Sequence, residues 1–300
     1  MKRKYILKQF FIVAITVSSI VYISCSSDNN YEPVQPVIKK SLEEQIQTGF
    51  IDEVLPVATS PCFQGAFYRK AMSSQDYWLG IKGEFVVPTL IDDPNRVNPA
   101  KPTQYLDNAS VYLGGTSDGQ ETDIGLTWEV IKDDNGVVSA DRKAFRPFLR
   151  RTAYKSEEAA LYKNAPAEKR YYWYPGETVT MSVQVKNPKK ILFIVDGAGK
   201  HYEEEFDAAG YQPGFKAVFK RVNAIDQVSN EGKPVQATKA KVTGGKWNKV
   251  VLFRKVDGVI YEAPMTTKRY TDMRCPASAN FSITKNGADD SESIDIMGTP

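Results

Sequence analysis

The segment Glu121-Thr122-Asp123-Ile124-Gly125-Leu126-Thr127-Trp128-Glu129 concentrates the side chains best suited to chemistry in this chain. On a β-strand, successive side chains point to opposite faces. Ile124, Leu126 and Trp128 then face a core, while Glu121, Asp123, Thr127 and Glu129 make a polar, acidic face. Gly125 leaves a gap in that row where a ligand could approach the backbone. Two residues of strand rise put Glu121 and Asp123 roughly 6 to 7 Å apart, inside the range of paired glycosidase carboxylates. The competing reading is an ordinary solvent face on an antiparallel strand.

A second resource is aromatic. Tyr171-Tyr172-Trp173-Tyr174 runs into Pro175-Gly176, and strand alternation would place Tyr171 and Trp173 on one face. Sugar rings have apolar faces that stack on flat side chains, so this pair is a candidate glycan platform. Thr178, Thr180, Ser182 and Gln184 offer a neutral hydrogen-bonding row on the next strand. A lyase would need a cation beside the acids, which Arg146 or Arg221 could supply.

Other chemistries are excluded or lack support. His201 is the only histidine, which rules out a His-rich zinc site and leaves a Ser-His-Asp triad one residue to use. It precedes Tyr202-Glu203-Glu204-Glu205 and reads as surface. No GxGxxG, phosphate loop or CxxC pair is present, so neither a metal nor a nucleotide or redox cofactor is expected.

The elements that must position these residues are mostly strands. Short alternating or apolar runs recur at 77–87, 109–113, 122–131, 144–149, 178–185, 190–195, 215–222, 247–254, 280–284 and 293–296. That many short strands point to an all-β sandwich or barrel. Asp133-Asp134-Asn135-Gly136 reads as a hairpin turn, with too few placed oxygens for a calcium loop. Ser41 followed by Glu44 resembles a capping box, and Leu42, Ile46, Phe50 and Val54 recur at helical spacing. Ser156-Glu157-Glu158-Ala159 suggests a second short helix.

Tyr112-Leu113-Gly114-Gly115, the Glu121–Thr127 run, Arg146-Pro147-Phe148 and Phe219-Lys220-Arg221-Val222-Asn223 resemble secreted proteins of unknown function from Bacillus and Bacteroides relatives. The resemblance implies a concanavalin A-like, jelly-roll lectin/glucanase sandwich and carries no activity with it. The Glu121/Asp123 pair is also similar to the Glu-x-Asp-x-(x)-Glu strand motif of laminarinase-like glucanases. Gly125 and Leu126 occupy the places of the third acid, so that active site is incomplete here.

The first residues set the compartment. Lys2, Arg3, Lys4 and Lys8 precede the apolar run Phe10–Ile23, and Ser24 precedes Cys25. Fourteen helical residues reach only about 21 Å, short of a roughly 30 Å hydrocarbon core, so the run reads as an export signal. Tyr22-Ile23-Ser24-Cys25 resembles a lipobox. The expected organisation is a signal peptide over 1–24, an acylated Cys25 with a tether over 25–40, and one domain over 41–300. The expected location is the outer membrane, on its periplasmic or cell-surface side. Removing the four leader cations from 39 basic residues leaves 35 against 36 acidic, a balance of −1. A basic nucleic-acid surface is therefore not expected.

Acylation of Cys25 leaves Cys62 and Cys275 in an oxidising compartment, where one disulfide is the expected outcome and two separate thiols the alternative. A bond would put the strand after Pro61 beside Asp272-Met273-Arg274-Cys275. The functional expectation is a lipid-anchored carbohydrate-binding module with a polysaccharide ligand. The alternatives are a glycoside hydrolase or polysaccharide lyase, and a structural or adhesion protein of the envelope.

Overall fold

The computed structural model of the chain describes residues 40–100, 104–129, 144–287 and 290–299. The expected export signal, Cys25, most of the expected tether and the expected turn at Asp133–Gly136 lie outside the described residues. In chain order the strands are β1 (Ala66–Ser73), β2 (Trp78–Val86), β3 (Thr89–Ile91), β4 (Asp107–Ser117), β5 (Gln120–Glu129) and β6 (Ala144–Arg151). There follow β7 (Leu161–Asn164), β8 (Thr178–Asn187), β9 (Lys190–Gly197), β10 (Lys200–Asp207) and β11 (Ala217–Gln227). The last are β12 (Lys241–Val256), β13 (Val259–Pro264), β14 (Tyr270–Cys275), β15 (Phe281–Asn286) and β16 (Ser291–Met297).

These strands build two antiparallel sheets. One has the order β14-β1-β11-β4-β5-β6-β7 and the other β10-β9-β8-β2-β12-β16-β15, with β3 and β13 added to β12. Phe67, Val111, Leu113, Ile124, Leu126, Phe145, Leu149 and Phe219 of the first sheet are buried in one core with Ile81, Phe85, Met181, Val183, Phe193, Trp247 and Ile294 of the second. Period-two alternation in both sheets thus closes one interior, and the described residues form one compact unit. The architecture is the all-β, antiparallel β-sandwich that the sequence led us to expect.

Helix α1 (Leu42–Thr48) forms where the capping box sits: the Ser41 hydroxyl accepts from the Glu44 amide at 3.2 Å. It stops at Gly49, short of the periodicity that reached Val54, because Gly49 takes a positive φ of 128° and turns Phe50 into the core. The second helix is not formed. Residues 155–157 instead make a turn closed by a bridge between Tyr154 and Glu158. The Glu158 carboxylate is consumed there by Arg151, the Gln120 amide and the backbone N–H of Ala209.

Cys62 and Cys275 are joined in a disulfide with α-carbons 5.7 Å apart, inside the 4.4 to 6.8 Å window that bonded pairs occupy. Accordingly β1 and β14 are paired neighbours, with Tyr68 opposite Cys275 and Arg69 opposite Arg274. The sequence reading missed β1 because its inward row is Phe67, Arg69 and Ala71, with a charge in the middle. That charge is satisfied across the sandwich. Arg69 Nε donates to Glu292 Oε1 at 2.8 Å and Arg221 Nη2 to Glu292 Oε2 at 2.9 Å, all three side chains being buried.

Candidate functional site

The outer face of the seven-stranded sheet, the one turned away from the core, carries a cavity of about 460 Å³. Strand alternation positions its floor. While Ile124, Leu126 and Trp128 are buried in the core, Glu121, Asp123 and Thr127 line the cavity from β5. Tyr68 and Lys70 reach it from β1, Ser110 and Tyr112 from β4, Phe148 and Arg150 from β6, and Lys220 and Asp226 from β11. The segments around Phe63 and Ser229 close its sides, and Tyr162 on β7 stands at the opposite edge of the sheet. Phe63 and Tyr162 are 51% and 65% exposed, which leaves two aromatic faces open to a ligand at the rim.

Inside, charges are paired in a chain. Lys220 Nζ donates to Glu121 Oε1 at 2.5 Å and lies 2.7 Å from Asp123 Oδ1. Arg150 joins Asp123 Oδ2, at 3.5 Å, to Glu231 Oε1, at 3.3 Å, on the segment after β11. Asp226 Oδ2 accepts from the Ser110 hydroxyl at 2.5 Å. Thr127 Oγ1 accepts from the Asn108 amide at 2.8 Å.

This setting moves several proton affinities. Burial pushes the Asp226 carboxyl up to about 6, with the Ser110 hydrogen bond pulling back and the Asp123 and Glu231 carboxylates adding to the rise. Burial also raises the Tyr112 phenol well above its usual value, reinforced by Asp123, Asp226 and Glu121. Tyr68 is raised by burial too, against the Phe63 amide that its oxygen accepts from at 2.7 Å. For Lys220, burial favours the neutral amine, but Asp123 and Glu121 outweigh it and hold the ammonium above the ordinary lysine range. Lys70 goes the other way, lowered by burial and by the neighbouring Lys220 charge.

Four expectations are corrected by this geometry. The gap at Gly125 is not open to a ligand, because a Cβ built there would stand 2.6 Å from Cβ of Tyr112. The glycine is required by the close crossing of β4, and Tyr112 and Phe148 meet edge to face over it at 5.9 Å. The aromatic platform is also absent from this face. Residues 169–171 form a 3-10 turn and not a strand, so Tyr171 and Trp173 do not alternate onto one exposed surface. Trp173 is 0% exposed with its indole N–H donating to the Gly197 carbonyl at 3.1 Å, and Tyr171 packs edge-on to Tyr202 at 5.4 Å. The row Thr178, Thr180, Ser182 and Gln184 belongs to β8 in the other sheet. Finally, Arg221 faces the core against Glu292 and cannot serve the cavity, and Arg146 is not part of its lining.

Glu129 closes β5 opposite Ala144, and its side chain lies outside the described residues. His201 is exposed on β10, away from the cavity. Among the described residues no group of three or more His, Cys, Asp or Glu side chains could hold a metal ion.

Lys70, Asp226, Tyr68, Phe63 and Tyr162 went unread as site residues. For Asp226 the signal was present: Lys220, Val222, Ala224 and Asp226 alternate with Phe219, Arg221, Asn223 and Ile225. Only cross-strand neighbours reveal that the first row is the outer one, since Arg221 and Asn223 look no more apolar than their alternates.

No protein-family model and no curated protein matches this sequence. Among solved structures, Scytalido-glutamic peptidase with a peptide-based transition state analog aligns with a TM-score of 0.47 at 10% identity, over 76% of this chain and 97% of that one. The alginate lyase from Klebsiella pneumoniae aligns with a TM-score of 0.38 at 11% identity, over 62% and 59%. Porphyranase B from Zobellia galactanivorans aligns with a TM-score of 0.30 at 8% identity, over 82% and 74%.

Proposed function

We propose that the cavity binds a segment of polysaccharide and hydrolyses it, on a protein held at the outer membrane by lipid on Cys25. The observation that carries the reading is one cavity with two kinds of carboxyl: Asp226, lifted to about 6, and the Glu121/Asp123 pair bound to Lys220. Environments that push two carboxyls apart in proton affinity are what glycoside hydrolysis uses. Asp226 is the proton donor to the glycosidic oxygen as the C1–O bond breaks. Water adds to C1, and its proton leaves to the Asp123 or Glu121 carboxylate, whose charge also favours the cationic sugar in the transition state. Phe63 and Tyr162 flank the cavity as stacking surfaces for the flanking sugars.

Elimination, the lyase route, fits less well. A tyrosine base needs its phenol brought toward ionisation, and burial drives both Tyr68 and Tyr112 away from it. A second reading, capture of the glycan without cleavage, is favoured by the double hold of Lys220 on both acids, which restrains either from attacking.

The test is release of reducing ends from a panel of polysaccharides by the purified chain, with Asp226→Asn and Glu121→Gln beside it. Hydrolysis that declines as pH rises through 6 and is lost in Asp226→Asn supports the assignment. Binding with no product from the wild type leaves a lectin-like module, and full activity in Asp226→Asn removes its role.

A further inference from the structure

We propose that the sugar taken by this cavity carries an acidic substituent, a carboxylate or a sulfate, and that Lys70 is the residue that selects it; the inference rests on the polysaccharide reading above. Three cations line the cavity: Lys70, Arg150 and Lys220. Two of them are spoken for. Lys220 is held by Glu121 and Asp123, and Arg150 by Asp123 and Glu231.

Lys70 stands apart. It is half-buried on the outer face of β1, opposite Val222 and Met273, with its ammonium 5.5 Å from the Tyr68 ring centre. Among the described residues no carboxylate comes within 4.0 Å of it. The protein thus holds a cation in a recess, repelled by Lys220, with the nearby carboxylates committed elsewhere. A buried charge left unpaired is costly, and an anion brought by the ligand removes that cost. A neutral sugar would add desolvation to Lys70 and return only hydroxyl contacts. An acidic sugar forms a charge-assisted hydrogen bond, which is about twice as strong.

The position of Lys70 supports the same ligand. Tyr68 and Tyr112, both kept as neutral phenols, are hydroxyl partners for the ring oxygens of a sugar, and the Lys70 ammonium sits beside the Tyr68 ring. One residue pair on β1 therefore presents an apolar face, a hydroxyl and a free cation together. That combination matches a sugar ring with an acidic group at its edge.

Calorimetric titration with tetragalacturonate, a sulfated carrageenan tetrasaccharide and neutral laminaritetraose tests the inference, using wild type, Lys70→Gln and Lys70→Arg. At least one acidic ligand is expected to bind about ten-fold tighter than the neutral one, a preference that weakens at high salt. Lys70→Gln should abolish the preference of acidic over neutral ligand, and Lys70→Arg should keep it. Preference for the uronate alone, or for the sulfate alone, supports the inference and names the group. Equal binding of neutral and acidic ligands by the wild type, or a preference that survives Lys70→Gln, overturns it while the polysaccharide reading stands. Binding of none of the three overturns both.

Discussion

The Tyr68 phenol accepts the backbone N–H of Phe63 at 2.7 Å, one residue beyond the disulfide-bonded Cys62, while Tyr68 itself lies opposite Cys275 in the β1–β14 pair. The staple and the cavity rim are therefore one construction. Reduction, or Cys62→Ser, should destabilise the fold by up to about 5 kcal/mol, the chain-entropy value for so long a loop. In thermal melts this is a drop on the order of 10 °C. The same treatment should free Phe63 and weaken glycan binding, and Tyr68→Phe should weaken binding with much less loss of stability. An unchanged melting temperature after reduction contradicts the first expectation.

Asp226 gives the fold a pH dependence of definite sign. Its folded value of about 6 lies above the ordinary 3.8, so between those values the folded chain keeps a proton that the unfolded chain has released. The stability linked to that proton is fully present below pH 3.8 and is lost as pH rises through 6. Asp226→Asn, which stays neutral, should be more stable than wild type by about 2 to 3 kcal/mol at pH 7.5, with the difference vanishing near pH 4. Urea melts at the two pH values read this directly.

Lys220 neutralises two acids, and the consequences of removing each partner are unequal. Lys220→Met leaves Glu121 and Asp123 beside one another with only Arg150, 3.5 Å from Asp123, as counter-charge and should cost about 2 to 4 kcal/mol. Asp123→Asn leaves Lys220 paired with Glu121 and should cost less. Equal losses in the two variants would show that the ion pairs are not what this lysine contributes.

Across the sandwich, Glu292 serves Arg69 and Arg221 at once. Burial favours its neutral form, but the two guanidinium groups prevail and hold it below the usual carboxylate range. Its contribution is present above the unfolded value of 4.5 and is lost as pH falls through the lower folded one. Glu292→Gln takes the counter-charge from buried Arg221 and leaves Arg69 only Asp272, 3.5 Å away, and should cost about 3 to 5 kcal/mol at neutral pH. That loss should shrink on acidification, which denaturant titrations at pH 7 and pH 3 can follow.

By itself, the sequence determined the fold class and the inward row of β5, and it pointed to a bond between Cys62 and Cys275 with two separate thiols as the alternative that the structure removed. Alternation is local, and a chain with three cysteines offers few pairings. The outward row Glu121, Asp123 and Thr127 was legible for the same reason. Tertiary structure alone decided what stands across from that row. Lys220 and Asp226 come from a strand about a hundred residues away, and Lys70 from one about fifty residues before it. Their meeting depends on the strand order β1-β11-β4-β5, which no short-range pattern encodes. The aromatic run at 171–174 shows the limit most clearly. Its composition suited a sugar platform, but burial is set by the partner surface, and the second sheet took Trp173 into the core.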